Sequence, residues 1–144
     1  MATPPQVNKI YKIALTADWN KAVAEKSLFI GGALDIQDGF FHLSTAEQIP
    51  GTLNLFYKGK GANGALTLVE VDLKAYEAFL KETDEEGCVQ WEHPPIEGDL
   101  RLFPHGYGKK NHGALPAVVD GVVVLRAEVI QEDQENLGSY KTYL

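Results

Sequence analysis

The chain has 144 residues, 44% of them hydrophobic and 23% charged, enough to close one hydrophobic core without metal or disulfide help. Twenty acidic residues against thirteen Lys and Arg give a net charge of −7, which excludes a broad duplex-binding face built on phosphate neutralisation. No stretch reaches the ~18 consecutive apolar residues that a bilayer span needs. The amino-terminal MATPPQV lacks the basic start and apolar run of a secretory signal, so cytoplasmic residence is the expectation.

Residues 1–8 are expected as a loose tail, 9–130 as a single globular domain and 131–144 as a polar tail. Lys9 to Leu15 alternate with a period of two and predict a strand. Thr16 is placed as the cap of a helix that carries Trp19, Ala22 and Val23 on one stripe and ends near Lys26. Gly31 to Asp38 reads as a loop and Phe40–Leu43 as a short strand. Ser44-Thr45-Ala46-Glu47 reads as a capping box, so a helix should begin just after His42. Pro50 and Gly51 interrupt that helix, and Thr52 restarts it through Leu53, Phe56 and Tyr57.

Beyond a Gly59–Gly64 loop, Leu66 to Val71 predict a second strand. Asp72 then caps a helix to about Lys81 with Leu73, Tyr76 and Leu80 inward. Val89–Glu92 and Arg101–Pro104 read as short strands around a proline-rich loop. Asp120-Gly121, between Ala117–Val119 and Val122–Ile130, predicts a hairpin. Helices early and strands late imply an α+β fold, a mostly antiparallel sheet with two to three helices packed on it. Neither GxGxxG nor a phosphate loop ending in Gly-Lys-Ser/Thr is present.

Two segments bear the residues suited to chemistry, GFFHLST (39–45) and FPHGYG (103–108). In the first, His42 ends a strand just before a helix start, whose free amides favour an anion. Ser44 and Thr45 add hydroxyls, and Gln48 lies one turn further on. The same residues also make an ordinary strand-to-helix junction with a packed histidine. In the second segment, Pro104 stiffens the backbone before His105, Gly106 and Gly108 permit close approach, and Tyr107 sets a phenol beside an imidazole. His105 can move a proton near neutral pH. A tight turn with two exposed rings accounts for it equally well.

Trp91-Glu92 offers an aromatic platform followed by an acid, with Glu92 suited to act as a base or to bind ribose hydroxyls. Lys58 with Lys60, and Lys109 with Lys110, leave room for a small anionic or nucleotide-like ligand. No histidines fall at HxxxH or HxH spacing and Cys88 is alone, so no metal is expected unless the fold joins His42 and His105 with a carboxylate. Cys88 has no basic neighbour to stabilise a thiolate and reads as structural.

The order Ile10-Tyr11-Lys12-Ile13, Trp19, Asp38-Gly39-Phe40-Phe41-His42-Leu43-Ser44-Thr45-x-x-Gln48, Trp91-Glu92 and Phe103-Pro104-His105-x-Tyr107-Gly108 resembles domain-of-unknown-function family 952. The resemblance covers about residues 9 to 125. That family is similar, distantly, to the ADP-ribosyltransferase superfamily, which implies a split antiparallel sheet around a cleft for NAD. By the resemblance, Lys12, His42 and Ser44 or Thr45 line the cleft, with Trp91, Glu92, His105 and Tyr107 nearby. The Gly108–Pro116 loop exceeds the family's usual link and would be a lid or insertion.

The implied function is binding of NAD or a related phosphorylated nucleotide, with ADP-ribosyl transfer or glycosidic cleavage as the reaction. His42, Glu92 and His105 are the candidate catalytic residues. Lys12, Ser44, Thr45, Gln48, Trp91, Tyr107 and Gly108 are the candidate ligand-binding residues. The alternatives are a non-catalytic ligand sensor in the same cleft and a protein-interaction module using FPHGYG. The sequence leaves open which of the three holds, and names no protein partner.

Overall fold

The computed structural model of the chain describes residues 3–53 and 66–130. The Gly59–Gly64 loop with Lys58 and Lys60, the expected helix through Phe56 and Tyr57, and the 131–144 tail lie outside the described residues. In chain order the elements are β1 Lys9–Leu15, α1 Thr16–Glu25, β2 Leu28–Phe29, α2 Ala33–Asp38, β3 Phe41–His42, a 3₁₀ turn Ala46–Gln48 and α3 Ile49–Thr52. There follow β4 Leu66–Asp72, α4 Leu73–Thr83, β5 Cys88–Glu92, β6 Phe103–Tyr107, β7 Leu115–Pro116 and β8 Val124–Ile130. The class is α+β with antiparallel sheets. Among the described residues, two helices of ten and eleven residues are joined by two short ones, where two to three were expected.

Two three-stranded sheets organise the molecule, one ordered β1-β4-β8 and the other β3-β6-β5, with β2 and β7 paired separately. Every pairing between these strands is antiparallel. The two larger sheets are stitched by a backbone bridge, in which the Tyr11 amide donates to the Ser44 carbonyl and the Ser44 amide to the Tyr11 carbonyl.

β1 is apolar on both faces, and the structure uses both. Ile10 and Ala14 face one core with Val69, Val71, Trp19, Phe29, Phe41, Tyr76 and Leu80. Tyr11 and Ile13 face a second with Leu66, Leu68, Ile130, Ile49 and Leu53. Such double burial goes with apolar residues on both faces of β1 and β4. Lys12 shares its face with Ile10 and Ala14, so the fold carries a cation inward.

Several local expectations are corrected. Leu15, not Thr16, takes the cap position of α1, because the Thr16 hydroxyl bonds Thr67 on β4 at 2.7 Å. Val23 lies on the exposed side of α1. The capping box sits one residue later than read. Ser44 is committed to Tyr11, so Thr45 begins the turn and its amide donates to Gln48 Oε1 at 2.9 Å. Gly31–Asp38 holds a helix, started at Gly32 and closed by Gly39 at φ 77°. The Asp120-Gly121 turn forms, with the Val122 amide on Asp120, but no hairpin follows. β8 instead pairs with the open edge of β4, and β7 with β2. The strand expected to end at Pro104 runs on to Tyr107, which makes FPHGY the central strand of its sheet rather than a turn. The Asp72 cap is as read, accepting from the Ala75 amide at 2.9 Å.

Candidate functional site

In β3 and β6, His42 stands directly opposite His105 in register. Side chains alternate across strands, so Phe41 and Gly106 turn to the core and the two imidazoles meet on the other face. Their ring centroids are 5.1 Å apart in an edge-to-face arrangement. The half-buried Phe40 ring covers the pair, 4.6 Å from each imidazole and stacked 5.0 Å from Tyr107.

Each imidazole has its Nδ1 on a carboxylate. His105 Nδ1 lies 2.8 Å from Glu92 Oε1, and the Tyr107 hydroxyl donates to the same oxygen at 2.5 Å. The neighbours meet because β5 pairs with β6, placing Gln90 beside His105 and Glu92 at the strand end. No hydrogen bond to His105 Nε2 is made among the described residues. With Glu92 accepting from Nδ1, Nε2 is left as the basic nitrogen. His42 differs: Nδ1 is 2.9 Å from Asp35 and Nε2 is 2.9 Å from Asp38. A neutral ring can donate to only one of them.

Asp35 is only 6% exposed and is the hub beneath the pair. Its Oδ1 accepts from Lys12 Nζ at 2.7 Å, the His42 amide at 2.8 Å and the His42 ring. Its Oδ2 accepts from the Gly32 amide at 2.8 Å. Lys12, 3% exposed, also donates to the His42 carbonyl at 2.8 Å and lies 4.2 Å from the Phe41 ring centroid. Gly31 permits this packing: its φ is 91°, and a Cβ there would overlap the Asp35 carboxylate.

The charges follow from these contacts. Burial works to raise the Asp35 carboxyl, but hydrogen bonds from His42 and the Lys12 charge outweigh it and hold it well below the ordinary range. Burial lowers Lys12, with Asp35 opposing. Burial lowers His105 against the pull of Glu92, which favours a neutral ring. Glu92 is kept below its ordinary value: desolvation raises it, and the Tyr107 and His105 hydrogen bonds together outweigh that. Tyr107 is pushed up by burial and by the Glu92 carboxylate, and so keeps its proton. The Glu92 side chain is 41% exposed, next to an open concavity of about 660 Å³ lined also by Glu86, Cys88, Gln90 and Tyr107.

The structure thus brings together Lys12, His42, Glu92, His105 and Tyr107. It seats the other candidates elsewhere. Ser44 and Thr45 are buried with their amides engaged, so the expected anion-binding helix start offers no free amide from either residue. The Gln48 amide bridges Thr45 to the Leu102 carbonyl at 2.7 Å. Trp91 packs against the core, on the opposite face of β5 from Glu92. Gly108 packs so closely on the Asp84 carboxylate that a Cβ would overlap it. Asp84 in turn accepts from the Lys110 and Asn111 amides at 2.8 and 2.5 Å, and the Lys109 amide donates to Glu85. The Gly108–Pro116 loop, expected as a lid or insertion, is therefore fastened to the end of α4. Among the described residues no cluster of three His, Cys, Asp or Glu is suited to a metal. No helix there is long and apolar enough to cross a membrane.

Asp35, Asp38 and Phe40 are the site residues that sequence reasoning missed. A glycine start at Gly32, an acid three residues on and a closing Gly39 were the available signal for a short helix presenting both acids.

Comparison with solved structures finds the same fold in the protein CC0527 from Caulobacter crescentus. Its X-ray crystal structure has a TM-score of 0.64 at 29% identity, covering 94% of this chain and 96% of that one. Its solution NMR structure has a TM-score of 0.62 at 29% identity, covering 96% and 97%. No curated protein matches the chain. The family model described as "Protein of unknown function (DUF952)" matches residues 13–120, which include every residue of the histidine site but Lys12. The chain belongs to that family, DUF952.

Proposed function

We propose that the protein is an enzyme acting on NAD or a related phosphorylated nucleotide, with its reactive centre at His42, Glu92, His105 and Tyr107. The observation that carries the reading is the in-register pair His42 and His105, with His105 buried, anchored through Nδ1 on Glu92 and without a hydrogen bond to Nε2 among the described residues. The resemblance to ADP-ribosyltransferase-like folds supplies the substrate class. Two stitched antiparallel sheets are compatible with the split sheet of that superfamily.

In the proposed step the glycosidic bond from C1′ to the nicotinamide nitrogen breaks, and nicotinamide leaves with the bonding electron pair. The half-exposed Glu92 carboxylate stabilises the positive charge that develops at C1′. A water or acceptor hydroxyl then bonds to C1′ and gives its proton to His105 Nε2, which releases it to solvent. Phe40 and Tyr107 offer stacked aromatic surface to a planar ring. Because Lys12, Ser44 and Thr45 are engaged internally, this reading puts recognition on the ring and ribose rather than on the phosphates.

The test is a thermal-shift screen with NAD, ADP-ribose, nucleoside phosphates and divalent metals, followed by chromatography of released nicotinamide. A ligand at a hundredfold its Kd stabilises by ~2.7 kcal/mol, a shift of several degrees. NAD is expected to raise the melting temperature, and nicotinamide release is expected to vanish in Glu92→Gln and His105→Gln. Stabilisation without turnover would replace the enzyme by a ligand sensor. No response to any ligand would sink both.

A further inference from the structure

We propose that Asp35 is the positioning residue of the histidine pair, holding the His42 imidazole edge-on to His105 through Nδ1 while Lys12 serves as its counter-charge. Calling the pair a reactive centre rests on the reading above; the geometry of Asp35 does not.

Three observations converge. Asp35 binds one residue, His42, by both ring and amide, so the carboxylate fixes the side chain and the strand that bears it. Lys12 closes the same loop from the other side, donating both to Asp35 and to the His42 carbonyl. This arrangement leaves the ammonium no solvent-facing donor surface at 3% exposure, which assigns it to the interior scaffold rather than to a ligand. The third observation is asymmetry. Asp38, on the same short helix, meets Nε2 from the more exposed side, whereas Asp35 is buried and meets Nδ1. A carboxylate behind one imidazole nitrogen sets the ring's orientation and its tautomer.

The experiment is side-chain ¹H–¹⁵N NMR on uniformly labelled protein. Wild type is expected to show a downfield, slowly exchanging His42 Nδ1 proton, assigned by its loss in His42→Gln. The signal is expected to persist in Asp38→Asn. It should disappear from the charge-balanced double variant Lys12→Met with Asp35→Ala while the β1–β4 amide signals remain. Lys12→Met with Asp35→Asn, whose carbonyl still accepts, should restore it. Survival of the signal without the Asp35 side chain, or its absence from wild type, would overturn the proposal. Should the alanine double variant fail to fold, exchange of the same proton in Lys12→Met/Asp35→Asn is compared with Lys12→Met alone. At least tenfold faster exchange supports the role, and equal rates overturn it. The expected spectra without any nicotinamide release from NAD would leave this inference standing and remove the enzymatic reading.

Discussion

The pairing of Lys12 with Asp35 makes a quantitative prediction through the variants Lys12→Met, Asp35→Ala and their combination. Removing one partner of a buried pair costs about 3–5 kcal/mol, because the other charge is left without compensation. Lys12→Met belongs at the lower end, since Asp35 keeps the His42 ring and two backbone amides. Asp35→Ala belongs at the upper end, since it strands the ammonium and leaves those amides without their acceptor, each worth about 1–3 kcal/mol when unsatisfied. At roughly 3 °C per kcal/mol for a domain of this size, the melting temperature falls by about 10–15 °C. The double variant removes both charges, so its cost should undercut the sum of the singles by about 1–3 kcal/mol.

The pH dependence has a fixed sign. With Asp35 gone, Lys12 loses the charge and hydrogen bond that oppose burial, so its folded pKa is lowered further, while the unfolded lysine stays protonated to about pH 10.4. The unfolded state then binds more protons, so stability of Asp35→Ala rises with pH, by up to ~1.4 kcal/mol per unit. The double variant should be flat over the same range. Urea unfolding at pH 7 and pH 9, followed by fluorescence of the buried Trp19 region, measures both effects. Additive costs, or an Asp35→Ala variant indifferent to pH, would refute the assignment of Lys12 as counter-charge.

Three further outcomes are expected. The folded pKa of His105 is lowered, so its contribution is full above the unfolded value of ~6.5 and is lost as pH falls through the folded value. His105→Gln should therefore lose less stability than wild type between pH 7 and pH 5, by up to ~1.4 kcal/mol per unit, as thermal melts will show. Gly106→Ala would drive a Cβ into the Tyr76 hydroxyl, which donates to the Gly113 carbonyl; a loss of about 1–3 kcal/mol should appear in denaturant unfolding. Phe40→Ala removes ring contacts worth about 0.5–1.5 kcal/mol each and uncovers both imidazoles. Carbethoxylation of the histidines, followed by ultraviolet absorbance, should accelerate; an unchanged rate would show that Phe40 is no cover.

What was legible in the sequence was local. β1 and β4 show in their alternation, and α4 in its apolar stripe and the Asp72 cap, because each depends on residues a few positions apart. The hairpin failed for a non-local reason: its turn formed, but the following residues found a longer partner in β4. The cap at Ser44 failed likewise, because Tyr11 claimed the backbone first. At the site, residue chemistry singled out His42, His105 and Glu92. Their register did not show, since β3 is two residues long and carries no alternation of its own. Asp35 looked like a loop acid, and only the approach of β1 beneath it reveals the partner for which it is buried.

The shortness of β3 also bears on how the molecule assembles. β1 joins β4, β2 joins β7 and β3 joins β6, and each pairing closes a long loop of intervening chain. Non-local closures of this kind are slow, because chain entropy is lost before the contacts that reward it are made. During synthesis His42 leaves the ribosome well before His105, and a two-residue strand has too few hydrogen bonds to wait for its partner alone. The imidazole pair thus comes into being only once β6 has been made and has closed on β3.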